Sequence, residues 1–193
     1  MATDDSLALG NRAGLPDALR ALVEAFPRAD WEAHPHFDGM VRFWLERHIL
    51  FRRILEAIRT DAEARVGHDL SEDTQLSRLS RLGGMFVGEL HTHHQIEDHH
   101  YFPVLARLEP TIAHGFDLLD SDHHAIDGVL ERFVAAANGL IGARGDPVLG
   151  HSGALRLHDE LAEVHRFLDR HLLDEEELVV PVILKHGPDA IGH

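Results

Sequence analysis

Two stretches of sequence decide the fold: residues 91–105 read HTHHQIEDHHYFPVL, and residues 171–183 read HLLDEEELVVPVI. Each contains a histidine followed four residues later by a glutamate. The two pairs are His93 with Glu97 and His171 with Glu175. In an α-helix four residues make about one turn, so the two side chains of a pair lie on one face, about 6 Å apart. Each pair can therefore offer an imidazole nitrogen to one metal ion and a carboxylate that reaches a second ion.

The order of these residues repeats along the chain. In both stretches the glutamate is followed by an acid, then by proline six residues on, and then by Val-Leu or Val-Ile. Upstream of each stretch lies a lone histidine, His48 or His123, with apolar residues at the same three offsets after it. Spacing alone is weak evidence among 18 histidines, and we interpret His68 with Glu72, in a predicted loop, as a chance pair. The repeat predicts two similar helical hairpins, each with a lone histidine and then a His/Glu pair.

Apolar residues recur with a helical period along most of the chain, and strand-like runs bounded by tight turns are missing. Four long helices are predicted, at about residues 38–66, 73–108, 110–141 and 152–185. Each would be about 45 Å long, and the short polar or glycine-rich joints favour antiparallel neighbours. The sequence therefore predicts an all-α fold, an up-down-up-down four-helix bundle with a short N-terminal helical extension.

The predicted domain organisation has three parts, with an N-terminal extension at 1–36, the bundle at 37–187 and a C-terminal tail at 188–193. The extension contains a short amphipathic helix near 15–26, and we expect it to pack on the bundle without contributing chemistry. Asp38 is the predicted N-cap of the first long helix, and Gly67 lies just past its end.

Six polar side chains are predicted to face the apolar interior, because each shares its helical stripe with leucine, valine or tryptophan at 100° per residue. They are His48, His93, Glu97, His123, His171 and Glu175. A buried carboxylate without a partner costs several kcal/mol. Two divalent cations would compensate for both glutamates at once, which makes these six residues the candidate metal ligands.

The donor set suits a pair of iron, manganese or zinc ions. The chain has no cysteine, which excludes disulfides, thiolate metal sites and iron–sulfur clusters. Imidazole with carboxylate suits iron, manganese or zinc. Four imidazoles and two bridging carboxylates supply about eight donor contacts, whereas two six-coordinate ions take about twelve. An oxo or hydroxo bridge and an open site would fill the rest, as in a centre that binds dioxygen or peroxide, whereas a closed zinc site needs only four ligands.

Several neighbouring residues are weighed as additional ligands or as partners of the ligands. Asp127 lies one turn after His123 on the predicted inward face. It is a candidate metal ligand, a candidate hydrogen-bond acceptor for a ligand, or the ion-pair partner of Arg52. Tyr101, one turn beyond Glu97, can hydrogen-bond or ligate iron, although core packing is favoured for it.

The remaining histidines of these helices are interpreted mostly as surface residues. His100 lies two turns after His93, near the same face of the helix, and is a further candidate ligand. The four expected to point away from the site are His91, His94, His99 and His124. Pro103 and Pro181 are expected to kink their helices just past the carboxylates.

Residues 93–103 (HHQIEDHHYFP) resemble the most diagnostic motif of the hemerythrin-like, or HHE cation-binding, family. His48, His123 and the pair His171/Glu175 follow in the family's order, so the resemblance covers roughly residues 37 to 186. It implies an up-down four-helix bundle, a non-heme oxo- or hydroxo-bridged di-iron centre in preference to zinc or manganese, and dioxygen or a relative as ligand.

Two departures from the oxygen-carrying members affect the expected function. Those proteins have a fifth histidine one turn after the third-helix histidine, where this chain has Asp127. They also end in a longer His-to-Asp spacing, where this chain has His171 and Glu175. The departures bring the chain closer to the sensor, iron-handling and peroxide-related members than to reversible oxygen carriers.

The predicted function is therefore that of a di-iron protein that interacts with dioxygen, peroxide or nitric oxide in sensing, scavenging or iron handling. Weak peroxidase, catalase-like or oxidase activity stays open. One alternative is a non-catalytic metal-binding or metal-buffering module that signals to a partner, and another is a metal-free structural bundle.

Charge and hydropathy exclude several classes of partner. The formal net charge of −15 repels phosphate backbones and anionic lipid heads, so we expect no nucleic-acid or membrane binding. No stretch approaches the roughly 20 apolar residues of a membrane span, and the start of the chain lacks the features of a secretion signal. The expected location is cytoplasmic, and a protein partner is left open.

Overall fold

The computed structural model describes residues 5–66 and 70–191, and every regular element within those ranges is helical. The all-α prediction is therefore confirmed for the described chain. Its helices are α1 (Ala21–Ala25), α2 (Gly39–Val66), α3 (Glu72–Ile96), α4 (Phe102–Leu108), α5 (Ala113–Gly142) and α6 (Pro147–His186). None of them is both long enough and apolar enough to cross a bilayer.

Helix α2 begins where the sequence predicted. The Asp38 carboxylate accepts hydrogen bonds from the backbone N–H groups of Met40 and Val41, at 3.0 and 3.4 Å, so Asp38 caps the free end of the helix. The predicted stop at Gly67 and the chance pair at His68 lie outside the described residues.

The second predicted helix is a continuous helical run that contains a π-helical segment. α3 passes into the π-helical residues Glu97–Tyr101 and then into α4. At the end of this segment the backbone N–H of Phe102 bonds to the carbonyl of Glu97, five residues back. Pro103 follows, and since proline has no N–H an undisturbed α-helical ladder cannot continue through it. Such π-helical turns within helices often mark functional sites.

Helix α6 begins five residues earlier than predicted. The sequence placed its start near residue 152, but the helix begins at Pro147. Asp146 accepts hydrogen bonds from two backbone N–H groups of the first turn, at 2.9 and 3.0 Å, and proline is favoured at the first helical position. The helix ends as predicted, before Gly187, whose φ of 84° suits glycine.

The chain divides into two compact units, and the first has a continuous apolar core. It comprises Met1–His48, His93–Ala125 and Asp169–His193. Its buried residues include Trp44, Phe102, Phe116, Leu119, Leu178 and Val182. All six candidate ligands belong to this unit.

The N-terminal extension packs into that same core. The helix predicted over 15–26 is shorter in the structure, where a 3-10 turn at Asp17–Leu19 precedes α1. Leu15, Leu19 and Val23 are nevertheless buried in the core of the first unit. The extension therefore shares the core of the unit that contains the candidate ligands.

The second unit comprises Ile49–Thr92 and Ile126–Leu168. Three phenylalanine rings meet edge to face in its interior, with centroid separations of 6.3 Å for Phe51 and Phe86 and 6.4 Å for Phe86 and Phe133. These geometries are favourable for aromatic pairs. None of the six candidate ligands lies in this unit.

Candidate metal centre

Four helical segments of the first unit bring the six candidate ligands together. His48 lies on α2, His93 on α3, His123 on α5, and His171 with Glu175 on α6, while Glu97 begins the π-helical segment. The exposed fractions are 0% for His48, His171 and Glu175, 1% for Glu97 and 3% for His123. The His93 side chain is 11% exposed. The helical-stripe argument therefore placed all six side chains in the interior correctly.

The imidazoles form two pairs whose Nε2 atoms face each other. His48 and His93 have Nε2 atoms 3.1 Å apart, and the Nε2 atoms of His123 and His171 are 3.2 Å apart. Ligand atoms converge in this way when two imidazoles share one ion. Their close approach has a simple explanation if a cation lies between the nitrogens of each pair.

Each glutamate lies between the two imidazole pairs. Glu97 Oε1 is 2.8 Å from Nε2 of His93, and Glu97 Oε2 is 3.6 Å from Nε2 of His123. Glu175 Oε2 is 3.5 Å from Nε2 of His48 and 3.5 Å from Nε2 of His171. Each carboxylate therefore lies within 3.6 Å of an imidazole nitrogen of both pairs, Glu97 through its two oxygens and Glu175 through Oε2 alone.

Three of the histidines have their other ring nitrogen against a carboxylate. The Nδ1 atoms of His48, His123 and His171 lie 2.9, 2.8 and 3.4 Å from oxygens of Glu176, Asp98 and Asp122 respectively. An Nδ1–H that donates to a carboxylate fixes the tautomer and leaves the Nε2 lone pair free to bind a metal. Such carboxylates are typical of metal-binding histidines.

Two arginines of the N-terminal extension hold two of these carboxylates, Asp122 and Glu176. Arg12 donates from Nε to Asp174 at 2.8 Å and from Nη1 to Asp122 at 2.7 Å. Arg28 donates to Glu176. The sequence-based expectation of an extension without any role at the site missed these contacts, because they join residues about 110 to 160 positions apart.

Trp44 and Tyr101 line the site from the core. Trp44 donates its indole N–H to Glu175 Oε1 at 2.6 Å. The half-buried Tyr101 ring packs against Trp44 with centroids 4.9 Å apart. The structure thus gives Tyr101 the packing role that the sequence favoured for it.

The charges of the site are strongly perturbed by burial. Burial, together with the charge of Glu175, raises the pKa of Glu97 well above its ordinary value. Burial also lowers the pKa of His93 to about 3 and that of His171 below its ordinary value. Burial opposes ionisation of His48 too, but Glu175 and Glu176 outweigh it and raise the His48 pKa.

These residues fit bound metal, because several buried polar atoms among them lack a hydrogen bond. Both oxygens of Glu97, Oε2 of Glu175 and both ring nitrogens of His94 are buried and have no hydrogen-bond partner among the described residues. Glu97 Oε1 lies 2.8 Å from His93 Nε2, but not in the geometry of a hydrogen bond. Cations among these nitrogen and oxygen atoms would satisfy the donor set.

The expectation that His94 points to solvent is wrong. It is 4% exposed, and its ring stacks on His123 with centroids 3.8 Å apart and an interplanar angle of 7°. The signal was in the sequence, because His94 is four residues after the buried Leu90 and three before Glu97. His91, His99 and His124 are exposed, as predicted.

The prediction that Asp127 faces inward is also wrong, since its side chain is exposed. The buried stripe of α5 passes through Ile126 and Leu130, so a residue four places after His123 lies at the edge of the stripe. His100, the other candidate from this stretch, is exposed as well, and Arg52 is half-buried within the second unit.

An apolar groove of about 590 Å³ lies in the second unit, with Leu55, Leu140 and Leu161 among its lining residues. None of the six candidate ligands lines it. The groove is therefore not part of the candidate metal centre, since all six candidate ligands belong to the first unit.

Comparison with known families bears on this arrangement. The family model described as the hemerythrin HHE cation-binding domain matches residues 39–183. The chain belongs to the hemerythrin HHE family. The matched range contains all six candidate ligands and excludes Arg12 and Arg28. No curated protein and no solved structure gave a significant match. Membership of a cation-binding family, together with the cluster of histidines and glutamates, indicates a metal-binding domain.

Proposed function

We propose that this hemerythrin-family chain binds two iron ions within an up-down-up-down four-helix bundle at residues 37–187 and interacts through them with dioxygen, peroxide or nitric oxide. The observation that carries the proposal is the two facing imidazole couples with two buried glutamates between them. Glu97 approaches one imidazole of each couple with its two separate oxygens, at 2.8 and 3.6 Å. This is the arrangement that two adjacent ions need.

The proposed ligands divide into two sets. His48 and His93 would hold one ion, and His123 and His171 the other, while Glu97 and Glu175 would bridge them. The donor atoms of His48, His93, Glu97 and Glu175 lie within 4.8 Å of one another, and so do those of His94, His123 and His171. Nitrogen and carboxylate oxygen without sulfur suit iron.

When bound, iron would supply the redox chemistry toward dioxygen, peroxide or nitric oxide that protein side chains lack. The chain's own residues hold and orient the ligands and keep water out. Glu176, Asp98 and Asp122 fix three of the imidazoles, and the apolar core around Trp44 limits solvent access. A site of this burial favours retained iron that senses or scavenges over a rapidly exchanging metal buffer.

Metal analysis together with an optical spectrum tests this function. Protein purified after growth with added iron should contain two irons per chain and absorb in the near ultraviolet. The reduced protein should change its spectrum on exposure to air, peroxide or nitric oxide. Stoichiometric zinc without iron would refute the proposal, and two irons with no response to any of the three would favour the non-catalytic metal-binding alternative.

A further inference from the structure

The N-terminal extension contacts the carboxylates behind two of the candidate ligands. Arg12, with a side chain only 3% exposed, donates to Asp122, which in turn lies 3.4 Å from Nδ1 of His171. Arg28 donates to Glu176, which lies 2.9 Å from Nδ1 of His48. One arginine of the extension thus stands behind a candidate ligand of each proposed ion.

The geometry points to a role for the extension, which lies outside the matched family region: it positions the metal ligands through Arg12 and Arg28. Each arginine fixes a carboxylate and adds a positive charge close to the proposed ions. Removal of either arginine should therefore loosen one imidazole and also stabilise the oxidised, more positive metal pair. Both effects depend on the proposed iron site.

Metal affinity and reduction potential together test the positioning role. Arg12→Ala should bind iron about tenfold more weakly and have a lower midpoint potential. Arg12→Lys keeps the charge but not the two-pronged geometry, so it should recover the potential more fully than the affinity. Arg20→Ala is the matched control, because Arg20 lies in the same extension and pairs with the solvent-accessible Glu177.

Midpoint potentials and affinities of both Arg12 variants within twofold of wild type would overturn the positioning role. Lower thermal stability with an unchanged potential would mean that Arg12 serves only the fold, and would overturn it as well. Loss of folding in Arg12→Ala alone leaves Arg12→Lys to decide. An iron-free wild type would refute the proposed function itself.

Discussion

Glu97 has two buried carboxylate oxygens, and neither accepts a hydrogen bond from the described residues. Burial first, and then the charge of Glu175, raise the pKa of this carboxyl well above its ordinary value, so the metal-free site disfavours its charged form. Such a residue weakens the empty protein and is useful only when a cation binds. We therefore expect Glu97 to favour metal binding and to lower the stability of the metal-free protein.

We predict that Glu97→Gln abolishes binding of the ion pair and leaves the metal-free protein as stable as wild type or up to about 1–2 kcal/mol more stable. The amide keeps the shape of the side chain and removes the acid. Metal content and urea unfolding of the chelated protein measure the two effects. Glu163→Gln, at a half-buried position of α6 in the second unit, is the control and should retain both metals. A fully loaded Glu97→Gln would contradict the bridging role.

The indole of Trp44 reports on the site. Its N–H lies 2.6 Å from Glu175 Oε1, whereas the indole N–H of Trp31, the other tryptophan, donates to the backbone carbonyl of Phe26. In Trp31→Phe, emission from Trp44 alone should be strongly quenched when iron binds. In Trp44→Phe, quenching should be weaker, and iron affinity should fall several-fold because the bridging carboxylate loses its donor. Equal quenching in the two variants would count against a metal centre beside Trp44.

At the residue scale, the sequence predicted the side chains that share a helical stripe with apolar neighbours. All six candidate ligands were found in this way, and His94 was missed only because its position between Leu90 and Glu97 was not weighed. The helical stripe does not predict the carboxylates that contact the imidazoles, such as Asp98 and Asp122. Each of them contacts a histidine on a neighbouring helix, and which histidine it contacts depends on how the helices pack.

The π-helical segment is the element that positions Glu97. It begins at Glu97 and ends at Tyr101, two residues before Pro103. Pro103 predicted a kink just past Glu97, and the structure has a π-helical segment there, whereas α6 is α-helical through Pro181; the kinks themselves stay predictions. Whether a π-helical segment forms depends on which carbonyls the remaining N–H groups bond to, and the local sequence does not determine that choice.

A second link between elements joins the end of α6 to the segment before α5. Glu109 accepts hydrogen bonds from Lys185 and His186 at 2.6 and 3.0 Å, and these partners lower its pKa to about 2. Because the pKa of this carboxyl is depressed on folding, its contribution to stability is present above about pH 4.5 and is lost as pH falls toward 2.

We predict that Glu109→Gln lowers the free energy of unfolding by about 1–3 kcal/mol at pH 7, with no change in metal content. The difference from wild type should shrink progressively as pH falls below about 4.5. Urea unfolding of the two chelated proteins between pH 7 and pH 3 measures it. A difference that is the same at every pH would show that the ionised pair is not its cause.

At the scale of elements, helix positions followed from periodicity and caps, as with Asp38 at the start of α2. The start of α6 was placed too late because the apolar stripe becomes clear only after residue 152, while Asp146 and Pro147 already provide the cap and first turn. The contacts of the extension with the site were beyond prediction, since they depend on how residues 5–38 fold over the core.

For the whole molecule, the metal pair should be a large part of the stability of the folded state. A ligand present at about 100 times its dissociation constant stabilises the native protein by about 2.7 kcal/mol. For a chain of 193 residues this corresponds to roughly 5–10 °C in Tm. Chelation should therefore lower the Tm of the wild type by that amount and leave the Tm of Glu97→Gln unchanged. Equal Tm values for the wild type with and without chelator would favour the metal-free structural alternative.

The helical class and the family were predictable for the whole molecule, because a periodic apolar pattern and the spacing of six polar residues are local properties of the chain. The division into two compact units was not foreseen. The long helices α2, α3, α5 and α6 run through both units, so nothing in their periodicity marks where one unit ends.

The central claim is tested most directly by a crystal structure of the iron-loaded protein with anomalous data collected on both sides of the iron absorption edge. Two iron peaks are predicted in the first unit, roughly 3–4 Å apart, one beside His48 and His93 and the other beside His123 and His171. Glu97 and Glu175 should lie between them. A single peak, or iron bound only at the exposed histidines, would contradict the account.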